Sequence, residues 1–166
     1  HGEGAYLHEL RELMFDQRGG YESLWRLRSA EKYGGNPYPT HGLGPIAQYM
    51  GINRSDRFEF LSSMSSRQRG LTLYAEKKFG KESEFARATY RLPDMNTTMI
   101  RTALGRTIMV QHNTTNPRPY SRINTISGTK GTFADYPPRL ALEPKSHEWI
   151  EGDALKVNTA ELFDEP

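Results

Sequence analysis

The segment TTMIRTALGRTIMVQHNTT, residues 97–115, constrains the fold more than any other part of the chain. It has two runs rich in β-branched residues on either side of Leu104-Gly105, a pair that suits a tight turn between antiparallel strands. The segment YSRINTISGTKGTFADYP, residues 120–137, repeats the pattern with Gly128 and Gly131 at the turn. Two hairpins in succession predict a mainly antiparallel sheet.

Apolar spacing predicts the remaining elements. Apolar residues three and four apart predict helices over residues 3–14, 40–50 and 69–80. Alternation or β-rich composition predicts strands over residues 21–29, 57–65 and 84–92. Beyond Glu143 the pattern is weak, and we expect loops and one helix around Glu148. The order of elements predicts a single α+β domain over residues 1–166, in which helices cover one face of an open, mainly antiparallel sheet.

Composition excludes several classes of protein. The 22 Lys and Arg residues are matched by 20 Asp and Glu residues, giving a net charge of +2 without blocks of one sign, so nucleic acid is not the expected partner. No apolar stretch approaches the roughly 18–20 residues of a membrane span, and residue 1 does not begin a signal peptide. We therefore expect a soluble chain that is either mature or cut from a longer one. Without cysteine, disulfides and thiolate chemistry are excluded.

The familiar catalytic and metal-binding motifs are missing from the sequence. The five histidines are scattered, there is no HExxH, and no carboxylate stands at ligand spacing to a pair of them, so we expect no metal. The serine-hydrolase elbow GxSxG and the phosphate-binding patterns GxGxxG and GxxxxGK[ST] are also missing. Any chemistry must come from histidine, tyrosine, arginine and carboxylate side chains.

The stretch GNPYPTHGLGPIAQYMG, residues 35–51, allows two interpretations. In the structural one, NPYP is a turn and Thr40 caps a helix with an apolar inner face. In the functional one, the helix dipole lowers the pKa of His41, which can then act as a neutral base near pH 7. The flanking prolines would hold Tyr38 and His41 in fixed positions. The residues alone leave both open and favour the structural one.

Two further residues are candidates on chemical grounds. Tyr120 lies at a loop-to-strand junction in NTTNPRPYSR, and Arg26 of WRLR is predicted to lie opposite Trp25 on a strand. The guanidinium of Arg26 could bind sugar hydroxyls or a carbonyl. A surface tyrosine and an ion-paired arginine explain the same residues, and nothing in their spacing brings them together with His41.

Five stretches, taken together, resemble the C-terminal half of glycoside hydrolase family 109. These enzymes are NAD-dependent α-N-acetylgalactosaminidases within the Gfo/Idh/MocA oxidoreductase superfamily. The stretches are GEGAY (2–6), WRLR (25–28), NPYPTHGLGPIAQYMGINRSDRF (36–58), DMNTTMI (94–100) and TIMVQHNTTNPRPYSRINTISGTKGT (107–132). They occur in order over most of residues 2–132, and the similarity is weak after about residue 140.

The resemblance implies a substrate, a cofactor and partners. It implies an N-acetylgalactosaminide substrate and a Rossmann domain, absent from this chain, that binds most of the NAD and packs against this domain. It also implies a homodimer through the open sheet face and a bacterial periplasmic or secreted parent. The implied substrate-binding residues are Tyr6, Arg26, Tyr38, Pro39, Thr40, His41 and Tyr120; of these, His41, Tyr38 and Tyr120 are implied to be catalytic, and Tyr38 also to lie near the nicotinamide.

The implied reaction needs no pair of carboxylates of the usual glycosidase kind. Hydride leaves C3 of the sugar to NAD, the ketone acidifies the proton at C2, the glycosidic oxygen leaves by elimination, water adds, and hydride returns. In this scheme His41 with Tyr38 or Tyr120 transfers protons, whereas Arg26 and Tyr6 position the sugar. Without the Rossmann half, we expect the isolated chain to be inactive.

Two other functions remain open at this level. One is a sugar or inositol dehydrogenase of the same superfamily, although the EKP and DxxxH motifs typical of those enzymes are not found in this chain. The other is a non-catalytic scaffold for dimerisation or sugar binding. Release of NADH would identify the first, and lack of activity in the full-length protein would identify the second.

Overall fold

The computed structural model describes residues 1–18, 23–145 and 147–155. The strands are β1 (Gly2–Leu7), β2 (Phe58–Ser65), β3 (Asn96–Thr102), β4 (Thr107–Asn113), β5 (Thr125–Ser127), β6 (Gly131–Ala134), β7 (Arg139–Leu142) and β8 (Ile150–Glu151). The helices are α1 (Arg11–Met14), α2 (Trp25–Lys32), α3 (Thr40–Tyr49), α4 (Gly70–Phe79) and α5 (Glu84–Arg87). The predicted α+β class is confirmed.

All eight strands belong to one sheet, in the order β2-β3-β4-β1-β5-β6-β7-β8. Every neighbouring pair is antiparallel except β1 and β4, which run parallel, so the prediction of a mainly antiparallel sheet is correct. The predicted hairpin around Leu104-Gly105 is β3–β4, with Ile100 opposite Ile108. Gly105 has φ of +78°, a backbone conformation that favours glycine.

The helix predicted over residues 3–14 is wrong for its first half. Residues 2–7 form β1, which pairs with β4 on one side and β5 on the other, and only Arg11–Met14 is helical. Ala5, Tyr6 and Leu7 are all buried because β1 is covered on both faces. The last three residues of β1 form an apolar run instead of alternating with polar residues, which is why apolar spacing misassigned the strand.

The two strands predicted over residues 21–29 and 84–92 are also wrong. The described residues of the segment 21–29 lie mostly in α2. In this helix Leu27 and Ala30, three residues apart, are buried on the inner face. In the second, Ser83 caps α5 by accepting a hydrogen bond from the backbone amide of Ala86. The residues after α5 are irregular. Their backbone donates to the carbonyl of Ala30 instead of joining the sheet.

Two apolar clusters hold the helices on one face of the sheet. One joins β1, α1, α2 and α4 and includes Tyr6, Leu27 and Leu71. The other packs Ile46 of α3 against Ile108 of β4 and its neighbours. The predicted helices over 40–50 and 69–80 are confirmed as α3 and α4, and α3 covers the sheet as expected.

The other face of the β2–β4 edge is open. Phe60 and Met64 of β2 and Met99 of β3 alternate with the residues that face the helices, and all three are exposed. The predicted strand over 57–65 is confirmed as β2. The expected helix around Glu148 is displaced, since the helical residues of the described tail are 152–155. No helix in the described ranges combines the length and apolar character needed to cross a membrane.

Candidate active site

Helix α3 is pressed directly onto strand β1. A Cβ atom built at Gly4 would come within 2.1 Å of the carbonyl oxygen of Gly42, and one built at Gly42 within 2.5 Å of the amide nitrogen of Ala5. Side chains at these two positions would push the helix away from the strand. The contact brings His41, the neighbour of Gly42, against Tyr6, which points to the same side of β1 as Gly4.

Tyr6 lies at the centre of an aromatic cluster. Its ring centroid is 5.1 Å from that of Tyr38, 5.0 Å from that of His41 and 6.3 Å from that of Tyr120, each in an edge-on arrangement. Tyr38 and His41 also contact each other, with centroids 4.8 Å apart. The hydroxyl of Tyr6 is 3.1 Å from Nδ1 of His8. Residues that are far apart in sequence therefore converge on one wall.

Tyr120 is held by a second set of polar contacts. The Nε of Arg122 donates a hydrogen bond to its hydroxyl oxygen. The ring of Tyr120 lies 4.9 Å from that of His8 and 5.8 Å from that of Tyr136. Burial, followed by the neighbouring Tyr120, raises the pKa of Tyr136. Because the Tyr120 oxygen accepts the hydrogen bond from Arg122, the hydroxyl proton of Tyr120 is free to point toward another group.

Arg26 occupies a helix and not the strand that the sequence predicts. Its guanidinium carbon lies 4.3 Å from the ring centroid of Trp25, so the two side chains stack instead of lying on opposite faces of a strand. Arg26 still belongs to the site. It lines the same concavity as Tyr6 and Tyr38, and its charge acts on the nearby histidines.

Both partly exposed histidines of the site are kept neutral. Burial, then the charges of Arg122 and Arg26, lower the pKa of His41. The pKa of His8 is lowered mainly by burial and next by the charge of Arg26, whereas Glu9 raises it by a smaller amount. The sequence predicts a lowered pKa for His41 from the helix dipole, but the effects found in the structure are burial and two arginines. A neutral imidazole near pH 7 can accept a proton.

The concavity next to the aromatic cluster has a volume of about 90 Å³, well below the roughly 300–1,000 Å³ of pockets that hold a whole ligand. Its wall is largely apolar, and it includes Leu10, Met14, Trp25 and Leu92. Its polar groups are Tyr6, Arg26, Ser29, Tyr38, His112 and Thr114. His112 is 2% exposed, and burial lowers its pKa to about 4.

Of the seven implied site residues, Tyr6, Arg26 and Tyr38 line this concavity. His41 and Tyr120 lie beside it, in contact with Tyr6, but do not line it. The remaining two lie further away. Pro39 lines a separate groove with Leu43 and Leu61, between α3 and the β2 edge. Thr40 is exposed at the first residue of α3 and does not cap it, because Pro39 occupies the N-cap position. Within residues 1–18, 23–145 and 147–155, no three His, Asp or Glu side chains are grouped so that they could hold a metal ion.

The sequence interpretation missed four residues next to the site: His8, His112, Arg122 and Tyr136. His112 lies opposite Tyr6 in the parallel register of β1 and β4. Arg122 is two residues after Tyr120, so an extended segment would place both on one side. His8 stands at the same spacing after Tyr6. The positions of His112 and Tyr136 follow from strand pairing and loop packing.

The chain matches a known protein family over nearly its whole length. The family model described as "Glycosyl hydrolase 109, C-terminal domain" matches residues 1–160. The chain belongs to this family. The family 109 domain is 50% identical over 159 residues to the alpha-N-acetylgalactosaminidase of Bacteroides fragilis, covering 94% of this chain and 37% of that protein. It is 54% identical over 155 residues to a glycosyl hydrolase family 109 protein of Shewanella amazonensis, covering 90% and 33%.

The family 109 domain thus spans about a third of the length of these relatives. Among solved structures, it is similar to an inositol dehydrogenase homolog from Azotobacter vinelandii complexed with NAD+. The TM-score is 0.46 at 13% identity, covering 90% of this chain and 36% of that one.

Proposed function

We propose that the full-length protein containing this family 109 domain is an NAD-dependent α-N-acetylgalactosaminidase, and that this domain supplies the sugar-facing wall of its active site. The convergence of Tyr6, Tyr38, His41 and Tyr120, with Arg26 beside them, is the observation that carries the proposal. The name of the Bacteroides fragilis relative supports the choice of substrate.

The residues of this domain fit the edge of a nicotinamide site but not the whole of a dinucleotide site. The Tyr38 ring is 38% exposed beside the neutral His41, and it would present an aromatic surface to a flat ring. The chain contains neither GxGxxG nor GxxxxGK[ST], so the pyrophosphate has to be held by another part of the protein. Bound NAD would supply transient oxidation at C3 of the sugar and return of the hydride.

Two of the proton transfers are assigned to His41 and Tyr120, and the proton lost from the C3 hydroxyl during hydride transfer goes to a third group, for which Tyr38, in contact with His41, is the candidate in this domain. His41, kept neutral by burial and by the charges of Arg122 and Arg26, accepts the proton from C2. The hydroxyl of Tyr120 donates a proton to the departing glycosidic oxygen. The guanidinium of Arg122, which already bonds to the Tyr120 oxygen, stabilises the negative charge that develops there. Arg26 and Tyr6 bind sugar hydroxyls and hold the ring against this wall.

The full-length protein, loaded with NAD, is tested with p-nitrophenyl α-N-acetylgalactosaminide in D₂O. We expect release of p-nitrophenol, deuterium at C2 of the product and no net NADH. Net NADH formation from a free sugar would instead support a dehydrogenase. Absence of any turnover would support a non-catalytic scaffold.

The isolated domain provides a second test. We propose that it neither hydrolyses this glycoside nor binds NAD tightly, because it has no pyrophosphate-binding loop of the known patterns. Calorimetry that shows NAD binding tighter than about 1 mM, or about −4 kcal/mol, would contradict this division between domains.

A further inference from the structure

Two buried polar side chains in the concavity are not used by the proton transfers above. His112 and Thr114 are each 2% exposed, and both line the cavity beside Tyr6. Neither Nδ1 of His112 nor Oγ1 of Thr114 has a hydrogen-bond partner within the described residues. The adjacent Thr115 differs, since its hydroxyl donates to a carboxylate oxygen of Asp94 at 2.9 Å.

Unpartnered buried polar atoms are costly, because they have lost their hydrogen bonds to water without gaining others. Two of them in the wall of one cavity indicate a ligand that supplies the missing partners. The wall also carries apolar side chains, among them Leu10, Met14 and Leu92. The expected ligand group is therefore small, with a polar part next to an apolar part.

We propose that this cavity is the acetamido pocket of the enzyme, in which His112 and Thr114 hydrogen-bond the amide of the sugar's 2-acetamido group and Leu10, Met14 and Leu92 surround its methyl group. This inference rests on the proposed function, because it takes the substrate to be an N-acetylhexosaminide.

The chemistry of the two side chains matches an uncharged amide. Burial lowers the pKa of His112 to about 4, so the imidazole is neutral near pH 7 and offers one donor and one acceptor. The Thr114 hydroxyl also offers both. An acetamide presents one N–H and one C=O, which these groups can satisfy. The neutral imidazole carries no charge, and the cation in the cavity wall is Arg26, which the proposed function assigns to the sugar hydroxyls.

The cavity lies beside His41, so a substituent bound in it would also position the sugar for the reaction. Tyr6 and Tyr38 line the cavity and also contact His41 in the aromatic cluster. A sugar held by its C2 substituent in the cavity would therefore place C2 beside His41, the proposed base. Specificity for the acetamido group and the position of the C2 proton would then come from the same contacts.

The test uses Thr114→Val in the full-length enzyme, with free N-acetylgalactosamine and free galactose as competitive inhibitors of glycoside hydrolysis. Galactose has a hydroxyl in place of the acetamido group. We expect the inhibition constant of N-acetylgalactosamine to rise about tenfold, as for a lost hydrogen bond, and that of galactose to change less than twofold. Thr114→Ser, which keeps the hydroxyl, should restore most of the preference.

Thr97→Val is the matched control, because the Thr97 hydroxyl bonds to Gln111 on the opposite face of the sheet, away from the cavity. It should leave both inhibition constants unchanged. Thr114→Val removes a buried hydroxyl that has no partner within the described residues, so the melting temperature of this variant should not fall. An unchanged melting temperature would separate a binding defect from misfolding.

The outcomes separate the two proposals. An active wild type whose preference for N-acetylgalactosamine is unchanged in Thr114→Val would overturn the acetamido pocket alone. A wild type that does not hydrolyse the α-N-acetylgalactosaminide would overturn the proposed function, and the pocket with it.

Discussion

Gly4 of β1 and Gly42 of α3 touch through their backbones, at a distance where no Cβ atom fits on either residue. This contact sets the distance between β1, which carries Tyr6, and α3, which carries His41. The geometry of the candidate site therefore depends on two residues that have no side chain.

Gly42→Ala should separate α3 from β1. Because the added methyl group would meet the backbone of β1, we expect a loss of about 1–3 kcal/mol in unfolding free energy, measured by urea denaturation, and a loss of activity in the full-length enzyme. Gly44→Ala is the control on the same helix, where a Cβ meets nothing within 4 Å. Because Gly44 precedes Pro45, whose ring crowds a Cβ on a helical neighbour, the gain in helix propensity should be offset, and stability should change by less than about 1 kcal/mol. Equal effects of the two changes would contradict the contact.

His41→Ala should lower kcat of the full-length enzyme by about 10² or more, as expected for loss of a general base. Because the pKa of His41 lies below 6.5, activity of the wild type should fall as the pH drops through this lowered value. Arg122→Met should move this acidic limb to higher pH, since it removes a positive charge that disfavours protonation of His41. Arg101→Met, at an exposed residue of β3, should leave the limb in place.

Tyr120→Phe should show an effect that depends on the leaving group. With p-nitrophenol, a good leaving group that needs little protonation, we expect kcat to fall about tenfold or less. With a sugar aglycone the fall should reach about 10² or more, because general acid assistance is then required. Rates measured with both substrates test this, and equal losses would assign Tyr120 to orientation of the substrate instead of proton donation.

Arg26→Ala should act mainly through KM, since its proposed contacts with the sugar exist both before and during the reaction. We expect KM to rise about tenfold and kcat to change less than threefold. Arg28→Ala, at an exposed position of the same helix, is the control and should change neither constant. A fall in kcat at constant KM in the Arg26 variant would show that the guanidinium acts in the transition state.

His112 should make stability depend on pH. Its pKa is about 4 in the folded domain, against 6.5 for an ordinary histidine. The unfolded chain therefore binds the proton more readily, so this contribution is complete above about pH 6.5 and is lost as the pH falls to about 4. The difference corresponds to about 3 kcal/mol.

Urea denaturation between pH 7 and pH 4 measures the contribution of His112. We expect His112→Gln to flatten the decline in unfolding free energy, whereas His147→Gln, at an exposed position, should leave it unchanged. If the unfolding free energy of the His112 variant declined with pH as steeply as that of the wild type, the decline would come from other groups.

The sequence by itself determined the elements whose signals are local. The β3–β4 hairpin, α3 and α4 follow from turn residues and apolar spacing within a few positions, and the family resemblance of the quoted stretches extends over most of the domain. A role for Tyr38 and His41 could also be proposed from the sequence, because the two lie three residues apart in one short, proline-flanked stretch.

Only the tertiary structure decided the roles of β1 and α2 and the composition of the cavity. Residues 2–7 are a strand because β4 and β5 supply hydrogen-bond partners from more than a hundred residues away along the chain. The same parallel register places His112 opposite Tyr6. Local patterns report which face of a segment is buried, whereas strand pairing and helix packing between distant segments select which side chains meet, and the Gly4–Gly42 contact sets how closely they do so.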